Sequence, residues 1–144
     1  MTRTPNSATT GLEMQLMPFI YFYGRAEEAL AFYKSVLGGD YTIVQRNVAN
    51  DDPRLDPSFV GKISYATLTA PGISFAASDG GGPKHIDPDE GNIILSLRVP
   101  EDAQRVFAAL GDGGHVIVPF GDVPWGGKFG HLRDRFQTDW FVLS

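Results

Sequence analysis

The sequence contains no cysteine. That absence excludes disulfide scaffolding, thiolate metal sites and cysteine nucleophiles. It also lacks a surplus of basic residues. Twelve Lys and Arg face seventeen Asp and Glu, for a net charge of −5. Neutralising phosphates needs a basic face, so this balance argues against nucleic acid as a partner. No apolar run reaches the roughly 18 residues of a membrane helix. Residues 1–13 lack the apolar centre of a secretory signal. A cytoplasmic protein with no membrane partner is expected. No G-x-S-x-G elbow and no phosphate-binding P-loop occurs. Gly80-Gly81-Gly82-Pro83 precedes no helical pattern, so a phosphate there would meet no helix N-terminus.

What is present suits a packed core. Hydrophobic residues make up 42% of 144 positions, enough for one domain or two small fused modules. Residues 1–13 are polar and aperiodic, and read as a loose tail. Residues 14–23 (MQLMPFIYFY) predict a strand, with Pro18 placing it at an edge or a bulge. In residues 25–37, Ala26, Ala29, Leu30, Tyr33 and Leu37 recur with helical period. Glu27 and Glu28 suit the first turn, and Gly38-Gly39 ends the helix. Strands are predicted at 40–46, 62–69 and 73–78. Residues 79–91 are glycine- and acid-rich and predict a loop.

The pattern then repeats. Residues 92–99 alternate cleanly: Ile93, Leu95, Leu97 and Val99 form a core face, and Ser96 and Arg98 lie on the other. A helix is predicted over 100–111, with Ala103, Val106, Phe107 and Leu110 on its apolar stripe. A strand follows at 115–120, and the closing segment supplies two more. FYKSVLGGDYTIV (32–44) aligns with VFAALGDGGHVIV (106–118) at a constant offset. The order is that of two βαβββ modules, about 14–79 and 91–143, joined by a linker loop over 80–90. The bland alternative is chance alternation of helices and strands.

PFIYFYGRAEEALAFYKSVLGG, SFAASDG and VPWGGKFGHLRDRF carry a resemblance to the PhnB-like branch of the vicinal oxygen chelate superfamily. That superfamily includes glyoxalases, bleomycin-resistance proteins and extradiol dioxygenases. The likeness runs over about residues 14–143, and the spacing W-G-x-x-F-G-x-x-x-D-x-F from Trp125 to Phe136 is its most specific part. It implies an α+β fold in which two βαβββ modules form a cupped mixed sheet around a cavity, usually in a homodimer. The superfamily's enzymes hold a divalent metal with four side chains from the first and last strands of each module. Carried over, those positions fall on Pro18, Ile94, Ala77 or Ser78 (with Asp79 just beyond) and Phe141. Pro, Ile and Phe offer a cation nothing, so no metal and no other cofactor is expected.

Each remaining polar candidate has two readings. His131 could act as a base or donor near neutral pH, or be a hydrogen-bonded structural histidine. His115 suits a turn or the surface. His85, Asp87 and Asp89 could form a metal clip, but a solvated loop is the commoner outcome. Ser96 and Arg98 would bind an anionic group if their face lines the cup, or reach solvent or a partner subunit. With Phe141 at the old metal position, Asp139 and Gln137 would share its inward face, and Trp140 and Val142 would pack as core. Asp134 would form the last turn, where Gln137 replaces the family's glycine. Trp125, Phe129 and Phe136 could wall a pocket or fill the core and dimer contact. Phe136 is read as core and Trp125 as cavity rim.

The expected ligand-binding set is therefore Trp125, Phe129, His131, Arg98, Ser96 and Asp139, around a small organic molecule. The competing readings are a metal-dependent lyase or dioxygenase of the same superfamily and a drug-sequestering resistance protein. A methyltransferase finds no support, because no glycine-rich strand-to-helix turn would seat S-adenosylmethionine.

Overall fold

The first helix is built by its apolar stripe. Ala26, Ala29, Leu30 and Tyr33 are all fully buried, and the polar residues between them face water. The computed structural model describes residues 13–84 and 93–144. Chain order is β1 (Phe19–Tyr21), α1 (Ala26–Leu37), β2 (Asp40–Arg46), β3 (Ile63–Ala70) and β4 (Ile73–Ser78). It continues with β5 (Ile94–Arg98), α2 (Ala103–Gly111), β6 (His115–Asp122), β7 (Lys128–Arg133) and β8 (Asp139–Leu143). Residues 1–12 of the expected 1–13 tail, most of the 80–90 loop, His85, Asp87, Asp89 and Asn92 lie outside the described residues.

The two halves have one topology. The sheets run β1-β4-β3-β2 and β5-β8-β7-β6. In each, the strand before the helix pairs in parallel with the last strand, and the other pairings are antiparallel. The result is an α+β fold of two βαβββ units, as the alternation of the sequence suggests.

Two strands are shorter than expected. The strand predicted over 14–23 spans only Phe19–Tyr21. Pro18 has no N–H to give, and only its carbonyl joins the ladder, accepting from the Ala76 N–H at 2.8 Å. β1 is indeed an edge strand. Likewise β5 begins at Ile94 and ends at Arg98.

One core joins the halves. Ile20, Leu30 and Tyr33 from the first pack in the same buried cluster as Leu110, Leu132, Trp140 and Val142 from the second. Helix α2 seats on β7 at Gly130, where a β-carbon would lie 2.5 Å from the Phe107 ring. Only a bare backbone lets that ring approach so closely. Phe136 is 5% exposed and lies edge-on to Phe22, as a core residue should.

At the β7–β8 turn Asp134 is 2% exposed. Its oxygens accept from the Phe136 and Thr138 N–H groups, the Trp140 indole and the Tyr33 hydroxyl. Burial pushes its carboxyl above the usual range, and these donors offset only part of that. Gln137 holds the left-handed position of the turn, with φ of 68°. It therefore sits in the turn and not on β8, so it does not share the face of Asp139 and Phe141 as the sequence suggested.

Candidate functional site

Alternation on β5, β7 and β8 separates two faces of the second sheet. Leu95, Leu97, Leu132, Trp140 and Val142 point to the helices and join the core. Their neighbours point the other way. Cross-strand register then sets these neighbours in rows. One row carries His115, Arg133, Asp139 and Ile94. The next carries Val118, His131, Phe141 and Ser96. The third carries Gly121, Phe129, Leu143 and Arg98.

Five of the six sequence-named residues thus share one helix-free face: Ser96, Arg98, Phe129, His131 and Asp139. The sixth, Trp125, stands apart. It lies in the turn between β6 and β7 and is 76% exposed.

Asp139 is the electrostatic centre of the face. It is 3% exposed in a surface otherwise half-open. Arg133 Nε donates to its Oδ1 at 2.6 Å, and Arg133 Nη2 to its Oδ2 at 3.2 Å. His131 Nε2 meets Oδ2 at 2.8 Å. Burial alone would raise its carboxyl, but the hydrogen bonds and charge of Arg133 and His131 outweigh that and hold it below the ordinary range. With Nε2 engaged, Nδ1 is the imidazole's remaining hydrogen-bonding atom.

Aromatic rings frame this cluster. The His131 ring stands edge-on to Phe141, with centroids 4.8 Å apart. Phe129 stands edge-on to Phe141 at 5.2 Å. Sequence reading named neither Arg133 nor Phe141 as a contact residue. The signal was available: Phe129, His131 and Arg133 repeat with period two, as do Asp139, Phe141 and Leu143.

The carried-over metal positions can now be placed. Pro18 and Ile94 both line a cleft of about 270 Å³ at the seam of the two sheets, with Phe75, Ser96 and Trp140. Phe141 lies on the helix-free face, and Ser78 is buried on β4. Asp79 is committed elsewhere. Its Oδ1 accepts from the Gly24 and Ala26 N–H groups at 2.7 and 2.8 Å, and its Oδ2 from the Ile63 N–H at 3.0 Å. It caps α1 and ties that helix to β3. A pyrrolidine, a butyl chain, a hydroxymethyl and a phenyl ring do not make a four-ligand cation site, and no cluster of three or more His, Asp or Glu occurs among the described residues.

This fold and topology have known counterparts. A family model described as 3-demethylubiquinone-9 3-methyltransferase matches residues 14–143. The chain belongs to that family. Among solved structures, protein PA1353 from Pseudomonas aeruginosa is 29% identical, with a TM-score of 0.68 over 91% of this chain and 97% of its own. A PhnB protein from Bacillus cereus is 26% identical, with a TM-score of 0.64 over 90% and 98%. A member of the glyoxalase/bleomycin resistance/dioxygenase superfamily from Sphaerobacter thermophilus is 20% identical, covers 90% and 97%, and has a TM-score of 0.52. It shares the fold. Membership in this PhnB-like family accords with the W-G-x-x-F-G-x-x-x-D-x-F spacing. In the structure that spacing encodes the Phe107 seat at Gly130, the buried Asp134 and the core ring of Phe136. No helix among the described residues is long and apolar enough to cross a membrane.

Proposed function

We propose that this PhnB-like protein binds a small organic molecule on the helix-free face of β5, β8 and β7, without the four-ligand metal of its superfamily's enzymes. The observation that carries this is the Arg133–Asp139–His131 cluster set among Phe129 and Phe141. A fixed polar group ringed by apolar walls is the usual make-up of a small-molecule site. The working form is a cytoplasmic homodimer, in which a second copy closes the open face into a cup.

Methyl transfer, which the family's description names, is not part of this reading. The connection from β1 to α1 has a single glycine, Gly24, and Asp79 already takes the N–H groups of Gly24 and Ala26. Nothing there is left to cradle S-adenosylmethionine. A cationic drug is also disfavoured, because Arg98 and Arg133 outnumber Asp139 on the face.

The test uses 1-anilinonaphthalene-8-sulfonate as a fluorescent probe of the face. His131→Ala and Arg98→Ala should each weaken its binding about tenfold, with circular dichroism unchanged. Equal affinity in both variants, and in Trp125→Ala, overturns the site. Stoichiometric zinc, nickel or iron in the purified protein overturns the metal-free reading. A monomeric mass by light scattering removes the dimer.

A further inference from the structure

We propose a second ligand site, which abuts the first through Arg133: a small-oxyanion site at the seam of the two halves, beside the β7–β8 turn, which takes a phosphate or carboxylate group. A cleft of about 300 Å³ there is lined by Arg25, Arg133, Arg135, His115, Gly113 and Gly114, with Asp134 and Gln137 completing the wall. Three arginines line this one cleft in a chain whose net charge is −5. The lining sets these three cations against one carboxylate, Asp134.

The two outer guanidinium groups are held in place before any ligand arrives. Arg25 lies 4.5 Å from the centroid of Phe136, and Arg135 lies 4.4 Å from that of Phe32. Stacking occupies the flat faces of a guanidinium and leaves its N–H edges to donate in the plane. Backbone carbonyls fix the rest: Arg25 Nη1 donates to the Arg135 carbonyl at 3.0 Å, and Arg135 Nε to the Asp112 carbonyl at 3.0 Å.

The acids nearby compete weakly. Glu28 pairs with Arg25 and Asp112 with Arg135, but these carboxylates are 62% and 79% exposed. Exposed pairs of this kind contribute little and yield readily to a better-placed anion. Asp134 lines the cleft with both oxygens already taken by four donors. Arg133 is committed to Asp139, whose carboxylate balances its charge, so Arg25 and Arg135 carry the site. Gly113 makes room for the Arg135 side chain, since a β-carbon there would lie 3.0 Å from Arg135 Nε. Arg25 belongs to the first half and Arg135 to the second, so a bound oxyanion would bridge them.

The experiment titrates the full chain with inorganic phosphate and, separately, with acetate, each against sodium chloride at matched ionic strength. The readouts are the amide resonances of Gly113 and Gly114 and the thermal midpoint. Saturable shifts at these two glycines and a raised midpoint are expected. Response to phosphate alone assigns a phosphoryl group; response to both assigns any oxyanion. Arg25→Gln and Arg135→Gln should each weaken binding about tenfold, while Arg105→Gln, the same charge change on α2, should not. Arg25 is half-exposed, so its single variant keeps the fold even if the Arg135 variant does not. Shifts no larger than those with chloride, or undiminished in Arg25→Gln, overturn the proposal.

Discussion

The Tyr33 hydroxyl donates to Asp134 Oδ2 at 2.5 Å, joining residues 101 positions apart. Burial, followed by the charge and hydrogen bond of Asp134, pushes the Tyr33 hydroxyl well above its usual range, so it remains a donor. Asp134→Ala strips four donors of their acceptor inside the core and should cost about 3–5 kcal/mol. Asp134→Asn keeps an oxygen for two of them but turns an amide NH2 toward the Trp140 indole N–H. It should cost about 1–3 kcal/mol. Urea midpoints of the three proteins give the ranking.

The seat of α2 predicts a second effect. Gly130→Ala drives a methyl group into the Phe107 ring. A loss of about 1–3 kcal/mol is expected. Phe107→Leu in the Gly130→Ala background should recover part of it, because the smaller side chain frees the space. A double-mutant cycle from thermal melts measures that coupling.

Asp79 is a test of capping against metal binding. Asp79→Asn leaves an oxygen for Gly24 and Ala26 but sets an amide NH2 against the Ile63 N–H. It should lower stability by about 1–3 kcal/mol. The same loss is expected with EDTA or with added zinc. A loss confined to metal-loaded protein would assign Asp79 to a cation.

Asp139 sets a pH dependence. Its carboxyl is held below the ordinary range, so its folded value lies under the unfolded one. Its contribution is present in full above the unfolded value, near 4, and is lost as pH falls through the lower folded value. Wild-type stability should therefore drop on acidification below about pH 4 more steeply than that of Asp139→Asn. Denaturant midpoints taken across that interval decide it, and parallel curves would refute the assignment.

Much of the scaffold was legible because it rests on periodicity. The stripe from Ala26 to Tyr33 and the alternation from Ile93 to Val99 each have one buried face, and that face dictates the element. The duplicated order of elements followed from the same signals. Strand ends were less legible, since Pro18 truncates β1 by what its backbone cannot donate. Residues grouped by cross-strand register were harder still. Arg133 precedes Asp139 by six positions in the chain, but a hairpin makes them partners. The pairing of Arg25 with Phe136 depends on how two modules dock, and no local pattern records that. The capping role of Asp79 was not legible because its three N–H donors are backbone groups, which a sequence does not display.

In each half the strand that opens the unit lies beside the strand that closes it, β1 against β4 and β5 against β8. The two run in parallel, so the chain enters at one end of the pair and leaves at the other, with every strand pairing kept inside its own half. A unit wired this way can be copied, excised or reconnected in a gene without rewiring its own strand pairings. What such copying cannot duplicate is the contact between unlike parts. Tyr33 from one unit and Asp134 from the other make the pair a heterodimer in miniature, with each half specialised for its sibling.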